Sequence, residues 1–90
     1  MFHVIIPSDV SRTLGTLLDR EAVIAVLFKL RDELENNGAI HRKARHPDEP
    51  DLYFRYLLKV FDGKRWCKLW FTVDDIQAQG QFVVVAVDQM

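Results

Sequence analysis

The pair Asp62-Gly63 stands between two alternating apolar runs, and it constrains the fold of this 90-residue chain more than any other feature. A type I′ turn needs φ > 0 at both central residues, so Asp-Gly between apolar runs is the strongest short-range hairpin signal. Residues 52–73 therefore read as two strands folded about that turn, with Phe61 opposite Lys64. This register stacks Leu58 over Cys67, Tyr56 over Leu69 and Phe54 over Phe71, a face that is apolar apart from one tyrosine hydroxyl. On the other face it stacks Lys59 over Trp66, Leu57 over Lys68, Arg55 over Trp70 and Tyr53 over Thr72, alternating cations with rings. A slip of one residue would mix the two sets, because strand side chains alternate with period two. The apolar face is thus the core side, and the cation–aromatic face is the expected working surface.

The remaining elements follow from periodicity and punctuation. Residues 2–6 read as a first strand ended by Pro7, which has no N–H for a ladder. Ser8 suits an N-cap, and Val10, Leu14, Leu17 and Leu18 recur as the stripe of an amphipathic helix weakened by Gly15. Asp19 separates that helix from a second one beginning at Arg20, which it is placed to cap. There Val23, Leu27, Leu30 and Leu34 form a seam widened by Ile24, Val26 and Phe28, which implies contact on more than one side. Lys29, Arg31, Asp32, Glu33 and Glu35 are expected on its solvent face. Asn36-Asn37-Gly38 reads as the helix stop, and residues 39–51 as a loop of split charge. Asp74 and Asp75 open a polar connection to Gly80. Residues 81–88 read as a last strand whose valines, apolar on both faces, mark it as central or well covered. The order β-α-α-β-β-β, with a helical hairpin packed on a mainly antiparallel four-stranded sheet, is an α+β single domain over residues 1–90.

Composition narrows the function classes. Twelve basic and thirteen acidic residues give a net charge of −1, so any site for a polyanion must be local rather than global. The single cysteine, Cys67, cannot close an internal disulfide and falls on the core face, where a thiol acts as a small hydrophobe. The N-terminal apolar run is too short for a signal peptide, and no run approaches the ~20 residues of a transmembrane helix, so the expected location is the cytoplasm.

The chemistry concentrates on the open hairpin face. Arg55 and Lys59 suit phosphates, while Tyr53, Trp66 and Trp70 suit unstacked bases, which makes single-stranded RNA the natural ligand. The alternative is a structural face on which the rings lie under helices or a partner and the cations reach past them to water. The basic run from His41 to His46, including Arg42, Lys43 and Arg45, extends the surface, although Asp48, Glu49 and Asp51 blunt its field. His41 and His46 match no standard ligand spacing, so neither a metal nor another cofactor is expected. No glycine-rich phosphate loop, CxxC or nucleophile elbow is present.

The element order and the hairpin residues resemble the RelE/ParE superfamily of toxin–antitoxin toxins. Phe54-Arg55 stands where that family carries Tyr-Arg, Lys68-Leu69-Trp70-Phe71 stands at its second Arg and apolar run, and residues 83–87 match its valine-rich last strand. The resemblance implies a plasmid-stabilisation type of toxin held by a cognate antitoxin and acting at the ribosome as a metal-independent mRNA endonuclease. In that role Arg55 and Lys68 would be the catalytic phosphate ligands, and Tyr53, Lys59, Trp66, Trp70, Arg42, Lys43 and Arg45 the RNA- or partner-binding residues. Lys68 departs from the family's arginine, since an ammonium cannot make the bidentate contact of a guanidinium. The closing Asp88-Gln89-Met90 also lacks the His-Arg and Tyr that move a proton in many relatives, which implies a degenerate active site. A gyrase-directed toxin and a non-catalytic protein-interaction domain of the same fold are the alternatives, and a homodimer is compatible with each.

Overall fold

The computed structural model describes residues 3–41, 45–49, 53–61, 64–76 and 80–89. In order, these form β1 (His3–Ile5), α1 (Ser8–Leu17), α2 (Arg20–His41), β2 (Tyr53–Phe61), β3 (Trp66–Ile76) and β4 (Gln81–Gln89). The strands make one sheet in the order β1-β4-β3-β2. β2/β3 and β3/β4 are antiparallel, while β1 runs parallel to β4 through His3↔Gln81, Val4↔Phe82 and Ile5↔Val83. The sheet is thus mixed, the fold is α+β, and β4 is central as its two-sided apolar pattern requires. Among the described residues no helix is long and apolar enough to cross a membrane.

Both helices pack on one face of the sheet, over Phe54, Tyr56, Leu58, Leu69, Phe71, Val73, Phe82 and Val84. Phe54 and Phe82 meet there edge to face, with centroids 5.3 Å apart, a geometry that aligns the positive ring edge with the negative ring face. Cys67 is buried in the same layer, as its hairpin position predicts. The seam of α2 differs from the expected one. Its fully covered positions are Val26, Leu30 and Leu34, preceded by Ala22, with Val23 and Leu27 half-buried at the margin. Ile24 and Phe28 face outward, 50% and 75% exposed. Strict i, i+4 spacing from a small residue lets the helix sit close to the sheet, and Ala22 gave no apolar signal strong enough to mark the row.

Asp19 does cap α2: its carboxylate accepts from Ala22 N–H at 2.9 Å. Ser8, by contrast, already lies inside α1; Pro7 occupies the cap position, without a side-chain cap. The stop at Asn36-Asn37-Gly38 is a kink rather than an end. Asn37 leaves helical geometry (φ −125°, ψ 16°) and the helix resumes to His41. Asp74 and Asp75 belong to β3, which continues to Ile76 against β4 instead of opening a loop there. Arg31 is exposed, as expected, and from there also donates to the Val4 carbonyl of β1 at 2.9 Å.

The hairpin register is offset by two residues from the expected one. Phe61 pairs with Trp66, Leu58 with Leu69 and Tyr56 with Phe71, leaving residues 62–65 as the connection. Asp62 and Gly63 themselves lie outside the described residues. An offset of two keeps every side chain on its predicted face, because it is one full strand period. What changes is who stands opposite whom. The longer connection exchanges a Phe61–Lys64 pair for an aromatic one, with Phe61 and Trp66 centroids 5.5 Å apart.

Candidate nucleic-acid interface

Among the described residues no helix or strand covers the face of β2 and β3 turned away from the helices. Its rungs, in order, are Tyr53/Asp74, Arg55/Thr72, Leu57/Trp70, Lys59/Lys68 and Phe61/Trp66. The phase of the ladder follows from two hydrogen bonds at the start of β2. His46 N–H donates to the Tyr53 carbonyl at 3.1 Å, and Tyr53 N–H donates to the Glu49 carbonyl at 3.1 Å. Both Tyr53 groups therefore turn away from β3. By period two, the open-face rungs are the non-hydrogen-bonded pairs, in which opposite side chains approach most closely.

One of those close rungs is Lys59 opposite Lys68. Both side chains are exposed, and like charges directly opposite each other destabilise a sheet. Each carries a flexible stem that swings its ammonium towards water, but the pair still focuses two positive charges on one rung. The neighbouring rungs are aromatic. Beyond it lies Phe61/Trp66, with Trp66 71% exposed, and before it Leu57/Trp70. Successive rungs lie ~7 Å apart along the strands. The arrangement is a ring, a cation pair and a ring in a line.

Arg55 is diagonal to Trp70 rather than opposite it, and its guanidinium carbon lies 4.3 Å from the centre of the Trp70 ring. That contact is a cation–π pair, worth ~0.5–1 kcal/mol when exposed. Guanidinium and indole together make one composite platform. Arg55 and Lys68, paired as catalytic candidates from the sequence, stand two rungs apart, ~14 Å along the strand direction. The fold brings Lys68 to Lys59 and leaves Arg55 on the far side of Trp70. Lys59 is the partner that sequence reasoning undervalued, and its signal was present: the same alternation with a four-residue connection yields this rung.

The flanking positions are accounted for in part. Tyr53 is half-buried at the Asp74 end of the face, 6.3 Å from the His46 ring in an edge contact. His46 organises its own turn: its Nδ1 accepts from the N–H groups of Asp48 and Glu49 at 3.1 and 3.3 Å. Arg45 is exposed and bridges to Phe54 at the outer edge of β2; paired residues share a face, so this bridge sets Arg45 on the helix side of the sheet and not on the open face. Arg42 and Lys43 lie outside the described residues. Two acids border the face, Asp74 beside Tyr53 and Asp88 opposite Trp70 on β4. They confine the positive field to the Lys59–Lys68 end, next to exposed Lys64 and Arg65. No family model, curated protein or solved structure matches this chain.

Proposed function

We propose that the open sheet face binds single-stranded RNA, and that the chain serves as a toxin-like component of a toxin–antitoxin pair of the kind the RelE/ParE resemblance implies. The observation that carries the RNA reading is the Lys59–Lys68 rung held between two indole rungs. Paired ammoniums attract a phosphate, exposed Trp66 offers a stacking face to one neighbouring base, and the Arg55–Trp70 platform offers one to the other. A duplex presents no free base faces, so this spacing favours single strands. If the chain cleaves RNA, the cations on the scissile phosphate are Lys59 and Lys68 rather than Arg55 and Lys68. A cognate antitoxin would act by covering this face.

A second reading has its own observation. Phe61 and Trp66 form an aromatic pair at the hairpin tip, 52% and 71% exposed, which also suits a non-catalytic contact with a protein. Salt separates the two, because each phosphate contact to a single strand contributes ~0.7 to the slope of log K against log salt. Titration of a labelled single-stranded RNA into wild type is expected to show that slope. Lys68→Glu is expected to weaken binding more than about tenfold while keeping or raising thermal stability, since the rung becomes Lys59 opposite glutamate. Growth arrest on induced expression of wild type, relieved by Lys68→Glu, carries the toxin part. Binding that ignores both salt and Lys68→Glu would discard the RNA reading.

A further inference from the structure

The two edges of the sheet are treated differently. On β1, three residues long, Arg31 of α2 occupies the Val4 carbonyl. β2 is the other edge. Its start is met by Arg45, which bridges to Phe54 in antiparallel sense, so this edge already accepts strand pairing. Beyond that bridge, no strand among the described residues pairs with its outer side. Leu57, Lys59 and Phe61 share the phase of Tyr53, so their N–H and C=O groups point outward. Beside them runs a groove of about 220 Å³ between β2 and α2, with Ala25, Val26, Leu58 and Val60 in its lining. Among the described residues Lys29 and Lys59 supply the charge along it, and no acidic side chain joins its lining.

We propose that this edge takes up an extended segment of another protein as a fifth strand, and that the segment alternates apolar with acidic side chains. Period-two alternation sends one set of its side chains into the groove and the other onto the open face. The groove is apolar, and Lys59 stands on the open face at the same edge, which assigns the two sets. A second copy of this chain fits poorly. β2 carries Arg55 and Lys59 and no acid, and antiparallel self-pairing centred on Leu57 sets Lys59 against Arg55 of the copy. The proposal extends beyond the RNA reading and needs no nucleic acid.

The test uses the 15N-labelled full chain and two blocked peptides of about eight residues, one alternating valine with glutamate and one alternating valine with lysine. Saturable shifts at the Leu57, Lys59 and Phe61 amides with the glutamate peptide are expected. The glutamate peptide is expected to bind at least about tenfold more tightly than the lysine peptide, because its charged set faces Lys59. Ala25→Glu puts a carboxylate on the groove wall that the valines enter and is expected to weaken the glutamate peptide at least about tenfold. Ala25 lies on α2, away from the RNA face, so this variant keeps RNA binding and separates the two proposals. No shift at those amides, equal binding of both peptides, or concentration-dependent shifts without peptide that reveal self-pairing would each overturn it.

Discussion

Tyr56 holds the only hydroxyl in the hairpin's core layer and is 6% exposed. Burial, and after it the negative charge of Glu33, pushes its pKa up from 10.0 to about 12. Between those values the unfolded chain has released the proton and the folded chain keeps it, so stability falls as pH rises through that window. Below the unfolded value the contribution is complete. Urea unfolding at about pH 9 and about pH 11 is therefore expected to show wild type losing about 1 kcal/mol more than Tyr56→Phe. Equal losses would mean that the phenol ionises as freely in the folded protein as in the unfolded one. The same scale explains what was hard to read at the candidate site. Lys59 and Lys68 are legible as residue types on the correct face, but their opposition depends on the length of one turn.

Among the elements, α2 shows where local signals decide and where tertiary packing overrides them. Asp19 sits between two helices, and its carboxylate satisfies an N–H that the helix start leaves without an internal partner. Asp19→Ala is expected to cost about 1 kcal/mol in chemical denaturation, and Asp19→Asn distinctly less, because asparagine caps comparably. An alanine variant as stable as wild type would show that the second helix starts without its cap. The apolar stripe of α2 was legible as a stripe but not as a contact row. Valine, isoleucine, leucine and phenylalanine occur almost all round its first turns, so hydrophobicity alone does not choose between the row through Ala22, Val26 and Leu30 and the row through Ile24 and Phe28. The sheet chooses, by admitting the row whose first member is smallest. The helix stop was legible as a disturbance, and Asn37 shows that such a disturbance can be absorbed as a bend.

At the scale of the molecule, two layers leave one sheet face bare, and the sequence contains that outcome in its alternation. Each strand of the hairpin sorts its side chains by parity, and any even offset preserves the sorting, which is why the core list survives a changed register. Strand order was not legible. The parallel seating of β1 on β4 arises from long-range packing between chain ends, and its three residues carry too little pattern to select a neighbour. The bulge between β3 and β4 was equally silent. The register steps between Thr72 and Val73, which leaves Val85 as an extra residue on β4, 39% exposed. A step of this kind strengthens local twist.

The guanidinium of Arg31 on the Val4 carbonyl has a consequence for polymerisation. An open-ended β-fibre of identical chains needs a donor edge and an acceptor edge on each unit, so that every addition recreates the surface for the next. In this molecule one end of the sheet is short and plugged by a side chain of its own second helix. Whatever joins at β2, the growing sheet meets a stopper one chain away. The molecule can therefore keep one long edge available for pairing without becoming the seed of a filament.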